Sequence, residues 1–179
     1  MQVYRIVSDD NYGILLPDLI AIGQQLDDPS EFMEAISSAK SLQSSWINIE
    51  GTQDDSDKPG DLCRTQINHL TLSSKAVDQL QSVVSDSGEL LPFSFQGSSW
   101  YLLNVLNSIP AIENESSINQ YSAVEAIAFN TQDVESQMLW TSSFGYDGDI
   151  YCSDKFIETV EKSGLTGLGF EKIYPLSDK

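Results

Sequence analysis

At 179 residues, with 27 acidic against 9 basic side chains, the chain carries a net charge of −18 at pH 7 and is still 40% hydrophobic. Aromatic and branched apolar residues recur in every segment except a few loops, which excludes an extended polyanion, and no basic patch exists to hold phosphates, which excludes a nucleic-acid binder. The length suits one domain, residues 1–179, with a core that needs no disulfide staples. Self-repulsion of this size opposes the compact state, and an acidic field attracts a cationic protein while repelling nucleic acid and anionic lipid. Acidic soluble proteins also exist for which the charge serves solubility alone.

Met1 to Gly13 lacks a basic start followed by a long apolar run, and no stretch approaches the ~20 apolar residues that span a bilayer, so a cytoplasmic protein with no membrane partner is expected. Residues 2–7 alternate as an opening strand that breaks at Ser8-Asp9-Asp10-Asn11. Asp28-Pro29-Ser30-Glu31 signals a helix capped by Asp28, with Phe32, Ile36 and Ala39 facing inward and an end near Lys40. Trp46, Ile47 and Ile49 form a short apolar segment. Residues 51–61 then read as a polar, mobile loop.

From Asp61 to Leu72 the pattern is that of a strand, with Leu62, Leu70 and Leu72 on one face and Cys63, Ile67 and His69 on the other. Ser73 or Ser74 caps a helix bearing Ala76, Val77, Leu80, Val83 and Val84 at helical spacing, and Gly88 is placed to close it in the left-handed conformation. Residues 90–106 read as a hairpin turning at Gln96 to Ser99, with Pro92 marking an edge strand. Residues 111–122 are loop-like. Strands are expected at Val124–Phe129, Met138–Thr141, Asp149–Cys152 and Leu168–Tyr174, and a helix from Asp154 to Lys162 closes at Gly164. The fold class is therefore α+β: a single domain with a mostly antiparallel sheet and about three helices.

A search for chemistry returns little. Cys63 and Cys152 lack any CxxC partner, so neither a zinc site nor a disulfide is indicated, and both are expected reduced and partly buried. His69 is the only histidine. It lies in a strand pattern without a GxSxG elbow, so a structural role is the expectation. Gly164-Leu165-Thr166-Gly167-Leu168-Gly169 runs from helix to strand, opposite to a phosphate-cradling loop, and its remaining glycines suit close backbone packing. Asp55 to Asp61 has some calcium-loop spacing, but Gln66 stands where a bidentate Glu belongs and Pro59 occupies a ligand position. No metal and no cofactor is expected. Trp46, Trp100 and Trp140 are expected in the core or at its margin.

The order of pieces carries a resemblance. A strand entering Leu70-Thr71-Leu72-Ser73-Ser74-Lys75-Ala76, a helix, then Gly88-Glu89-Leu90-Leu91-Pro92-Phe93 and Trp100-Tyr101-Leu102-Leu103-Asn104-Val105 resembles the central block of bacterial immunity protein family eleven of the polymorphic toxin systems. Ile150-Tyr151-Cys152-Ser153-Asp154-Lys155-Phe156, continuing to Gly164 through Phe170, is similar to that family's closing block. The likeness covers residues 61–174. It implies a non-enzymatic protein of a toxin-producing bacterium that binds and neutralises its cognate toxin.

Between Lys75 and Lys155 there is no lysine or arginine, whereas eleven acids fall in the gap or at its end, from Asp78 to Asp154. A basic, nuclease-type toxin bound stoichiometrically through an acidic surface suits that charge. The candidate contact residues are Asp54, Asp55 and Asp57 in one loop, Glu113 and Glu115 in a second, and Tyr146, Asp147 and Asp149 in a third. Two other classes stand beside this expectation: a small hydrolase using paired carboxylates, and a nonspecific acidic adaptor or phosphate mimic. The oligomeric state and the toxin's identity stay open.

Overall fold

The computed structural model of the protein describes residues 2–53, 58–65, 68–145 and 148–173. In chain order the elements are β1 (Val3–Ser8), β2 (Leu15–Pro17), α1 (Leu19–Gly23), α2 (Ser30–Ser37), β3 (Gly51–Gln53), β4 (Leu62–Arg64), β5 (His69–Ser73), α3 (Ser74–Gln79) and α4 (Gln81–Ser87). They continue with β6 (Gly88–Phe95), β7 (Ser98–Val105), β8 (Ser117–Ile118), β9 (Val124–Ala126), α5 (Thr131–Val134), β10 (Leu139–Thr141), β11 (Ile150–Ser153), α6 (Asp154–Lys162) and β12 (Leu168–Lys172). Two four-stranded sheets, in the orders β10-β11-β1-β12 and β4-β5-β7-β6, are joined by two ribbons, β2-β3 and β8-β9. Every strand pair within them is antiparallel, as expected of the α+β class.

Both sheets are covered on both faces, because alternate residues of a strand serve opposite sides. On the first sheet, Ile6, Leu139, Ile150 and Cys152 enter the main core, whereas Val3, Trp140 and Tyr151 point the other way into a second cluster. On the second sheet, Leu62, Leu70, Leu72, Leu103 and Val105 join the main core with α3, α4 and α6, while Leu91 and Leu102 meet Ile22, Phe32 and Ile36 of α1 and α2. Leu15 of β2, Cys63, Phe93 and Trp100 form a fourth cluster on that outer side. Cys63 and Cys152 are free and fully buried, not partly buried as the sequence suggests. Trp140 lies in the core, Trp100 at its edge, and Trp46 donates Nε1–H to the Pro92 carbonyl of edge strand β6 at 2.8 Å.

Several expectations are corrected. Residues 61–72 are a hairpin, pairing Leu62 with Leu72 and Cys63 with Thr71. Leu62, Leu70 and Leu72 share the main core and Cys63 lies on the opposite side, as the alternation suggests, while Ile67 lies outside the described residues. The helix after Ser73 is capped by the Ser73 hydroxyl, which accepts from Ala76 N at 3.2 Å, but it bends at Leu80 (φ −109°, ψ 17°), keeping Ala76, Leu80, Val83 and Val84 in one core. Gly88 is extended (φ 173°) and opens β6 directly. It is glycine because a Cβ would stand 1.9 Å from the Asn104 carbonyl oxygen of the paired strand. Asp28 accepts from Ser30 N at 3.0 Å while Pro29 occupies the cap position, and α2 ends at Ser37, before Lys40. Ahead of it lies the unanticipated α1, capped by Asp18 accepting from Ala21 N at 2.9 Å. Within the expected loop 51–61, Gly51–Gln53 is paired with β2 and Gly60 packs on Gly167, while 54–57 lie outside the described residues.

The turn of the β6–β7 hairpin is Gln96-Gly97, both left-handed (φ 50° and 76°), the geometry whose twist matches the strands. Gly164 closes α6 at φ 59° as its position suggests. The strand expected to Phe129 stops at Ala126, and the short α5 precedes β10.

Candidate functional site

Residues 107–129 cross the outer face of the first sheet. Ile109, Ile127 and Phe129 pack there on Val3, Trp140 and Tyr151. Phe129 meets Trp140 edge-on at 5.6 Å and Tyr151 at 5.1 Å between ring centroids, and Trp140 stacks on Tyr151 at 6.5 Å. This aromatic cluster carries a polar layer. Ile112 N donates to Ala128 O at 2.8 Å, Ser116 Oγ donates to Ile112 O at 2.8 Å, and Ala128 N donates to Ser116 Oγ at 3.0 Å. Those bonds hold the 3-10 turn Glu113–Glu115, from which Glu113 and Glu115 project, both exposed.

The β8–β9 ribbon follows. Asn119 Oδ1 accepts from Tyr121 N at 2.8 Å and Ala123 N at 3.1 Å, shaping a turn that leaves Tyr121 79% and Ile118 46% exposed beside the exposed Glu125. An aromatic and an aliphatic side chain thus stand among acids, a composition suited to a protein interface. Neither Tyr121 nor Ile118 was singled out in the sequence. Their exposure depends on a turn geometry that an Asn two residues ahead of a Tyr only hints at.

Asp149 behaves differently from the other candidates. Its side chain is only 15% exposed, 3.5 Å from Arg5 Nη1, and it accepts from Tyr151 Oη at 3.4 Å. Arg5 also pairs with Glu171 at 2.7 Å and donates to Val124 O at 3.3 Å, tying β9 to the sheet. Burial pulls the Arg5 pKa down, and hydrogen bonding to Glu171 and the charges of Asp149 and Glu171 outweigh it, so the guanidinium is held above its ordinary value. Asp149 is therefore a support of the ribbon, not a solvated turn acid. Asp54, Asp55, Asp57, Tyr146 and Asp147 lie outside the described residues. The flanks of the first group, Gln53 and Lys58, belong to the β2–β3 side of the molecule, where Gly13 N donates to Lys58 O at 3.2 Å. Of the described candidates, Glu113, Glu115 and Asp149 share the layer over the first sheet.

A second run of exposed acids adjoins the end of the first sheet. Asn107 Nδ2 donates to Asp86 O at 2.9 Å and Gln137 Oε1 at 3.0 Å, joining the end of α4 to the segment after α5, and Asp86, Asp133 and Glu135 are exposed there. Four of the basic side chains are already paired with acids: Lys40, Lys75 and Lys162 are bound to Glu34, Asp61 and Glu158, and Arg5 is committed as described, whereas Lys58, Lys155 and Lys172 are exposed.

His69 sits on β5, only 1% exposed, opposite Asn104 of β7. Burial and, less, the Arg64 charge push its pKa down to about 4, so the ring is neutral at pH 7. With Arg64 it lines a cavity of about 510 Å³ on the outer face of the second sheet, walled by Ile14, Leu16, Pro17, Leu19, Ile36 and Leu102. Among the described lining residues none is a carboxylate. Among the described residues no helix is long and apolar enough to cross a membrane, and no group of three or more His, Cys, Asp or Glu is arranged to hold a metal. Compared with known proteins, the chain matches no family model and no curated sequence.

Proposed function

We propose that this protein is an immunity protein that binds a basic, nuclease-type bacterial toxin stoichiometrically and neutralises it without performing a reaction. The observation that carries the reading is the one-signed surface. Acids on α3, α4, the 3-10 turn, the β8–β9 ribbon and α5 are exposed across the stretch from Asp78 to Glu135 that has no lysine or arginine, and Arg5, Lys40, Lys75 and Lys162 elsewhere are paired with acids. Such a surface meets the same cationic residues with which a nuclease holds phosphates. The order of strand, capped helix and hairpin over residues 61–174 supports the same reading through its resemblance to immunity family eleven. Tyr121 and Ile118 supply apolar contact within the acidic layer, and Glu113, Glu115 and Glu125 steer.

Stopped-flow association with the purified toxin tests the surface. Reversing Glu113, Glu115 and Glu125 to Lys is expected to slow association more than it speeds dissociation, with an effect that shrinks as salt rises; reversing Asp54, Asp55 and Asp57 tests those candidates in the same way. Association rates at low salt that neither set alters would remove electrostatic docking as the mechanism.

A further inference from the structure

Strand β6 lies at the end of the second sheet, paired with β7 and with no further strand of that sheet beyond it. An uncovered edge eight residues long presents a row of main-chain donors and acceptors to any other strand. Here residues 40–50, between α2 and β3, cover it. Alternate residues of an antiparallel strand turn their main-chain groups away from the partner, and on β6 these are the even-numbered ones: Ser94 N donates to Ile49 O at 3.0 Å, and Pro92 O accepts from Trp46 Nε1 at 2.8 Å.

Two carboxylates clasp the segment at its ends. Glu89 accepts from Ser41 Oγ at 2.7 Å and from Leu42 N at 2.6 Å, and it is steadied by Asn104 Nδ2, which donates to it at 2.9 Å and to Lys40 O at 2.8 Å. Glu50 accepts from Ser94 Oγ and from Gln96 N, both at 2.8 Å, beside the parallel bridge it forms with Ser94. Apart from that bridge, the bonds between this segment and β6 among the described residues run through side chains. A 3-10 turn at Gln43–Ser45 is its one regular element.

The segment is lightly anchored compared with the sheet beneath it. Leu42 is its one fully buried side chain, meeting Leu91 and Leu102, whereas Trp46, Ile47 and Ile49 are half-buried, so lifting it exposes far less apolar surface than unfolding the sheet. Ala39, immediately before it, is held at φ 48°, in the left-handed region that a residue with a Cβ occupies only when its surroundings impose it. Release of the segment lets that residue relax.

We infer that residues 40–50 are a strap that opens and recloses as one unit while both sheets stay folded, hinged at Ala39 and clasped by Glu89 and Glu50, and that its opening uncovers the β6 edge. The device is independent of the acidic layer over the first sheet and of any toxin.

Amide hydrogen exchange of the full-length chain across low urea concentrations tests it. The amides of Leu42, Ser94 and Gln96, bonded to Glu89, Ile49 and Glu50, are expected to share one protection factor and one shallow urea slope, and to exchange at least ~30-fold faster than those of Leu91 and Leu102, which pair across the β6–β7 hairpin. Glu50→Ala removes two bonds at one end of the strap and is expected to speed exchange of Leu42, at the other end, ~10-fold. Glu89→Gln is expected to speed Ser94 in the same way. Glu50 is exposed, so its variant decides the matter if the Glu89 variant does not fold. The inference is overturned if Glu50→Ala leaves Leu42 unmoved, if the three amides differ in urea slope, or if they exchange only as slowly as Leu91 and Leu102.

Discussion

Truncating Phe129 to alanine should detach the acidic layer from the first sheet. The ring is fully buried and makes edge-on contacts at 5.6 and 5.1 Å with Trp140 and Tyr151. Phe→Ala changes in cores cost ~3–5 kcal/mol, and aromatic contacts of this geometry contribute ~0.5–1.5 kcal/mol each beyond area burial, which puts this site at the upper end, about 4–5 kcal/mol. With a urea slope of ~2 kcal/mol/M, the unfolding midpoint should fall by about 2 M. Phe129→Leu, which keeps most of the volume, should cost less than half as much. Hydrogen exchange adds a local readout: the amides of Ile112 and Ala128, bonded to Ala128 O and Ser116 Oγ, should lose protection before those of Leu102 and Leu103 in the second sheet. A midpoint lowered by under 0.5 M, or uniform loss of protection, would refute the role given to this cluster.

Gly88→Ala should be among the most disruptive single changes outside the aromatic cluster, although the backbone there is ordinary. The new Cβ would stand 1.9 Å from Asn104 O, so β6 must part from β7 at its start; thermal melting should show a drop of at least ~5 °C at ~2–4 °C per kcal/mol. His69 gives the protein an acid-sensitive window. The unfolded ring takes up a proton below pH 6.5 but the folded ring only near pH 4, so the unfolded state binds more protons in between and stability falls as pH drops from 6.5 to 4, by up to about 3 kcal/mol. Urea midpoints measured across that range for the wild type and His69→Leu should differ in slope, the variant being flatter; parallel slopes would contradict a buried neutral ring.

The parts legible in the sequence are those whose signals are local. Pro92 with Gln96-Gly97 marks the β6–β7 hairpin, Ser73 caps α3, and Phe156, Ile157 and Val160 with Gly164 mark α6 and its end. What escaped is set by partners far along the chain. Leu62, Leu70 and Leu72 stay on one face across the β4–β5 reversal, so nothing in the apolar pattern betrays it. Gly88 looks like a helix closer until Asn104 is brought against it. The three-residue strands β2 and β3 exist because each pairs with the other across thirty-odd residues of intervening chain, too short a signal to read in isolation. Asp149 was legible as an acid in a turn, but its commitment depends on Arg5, at the opposite end of the chain. The cavity was invisible for the same reason: Arg64 and His69 are close in sequence, while Leu16, Ile36 and Leu102 reach them only through the fold.

Survival of a sensitive bacterial host expressing the neighbouring toxin gene, with and without this protein, tests the central claim most directly. Neutralisation by binding predicts that growth is restored once soluble protein reaches parity with the toxin, and that the two co-purify as a stable complex. Persistent killing in the presence of abundant folded protein would contradict it.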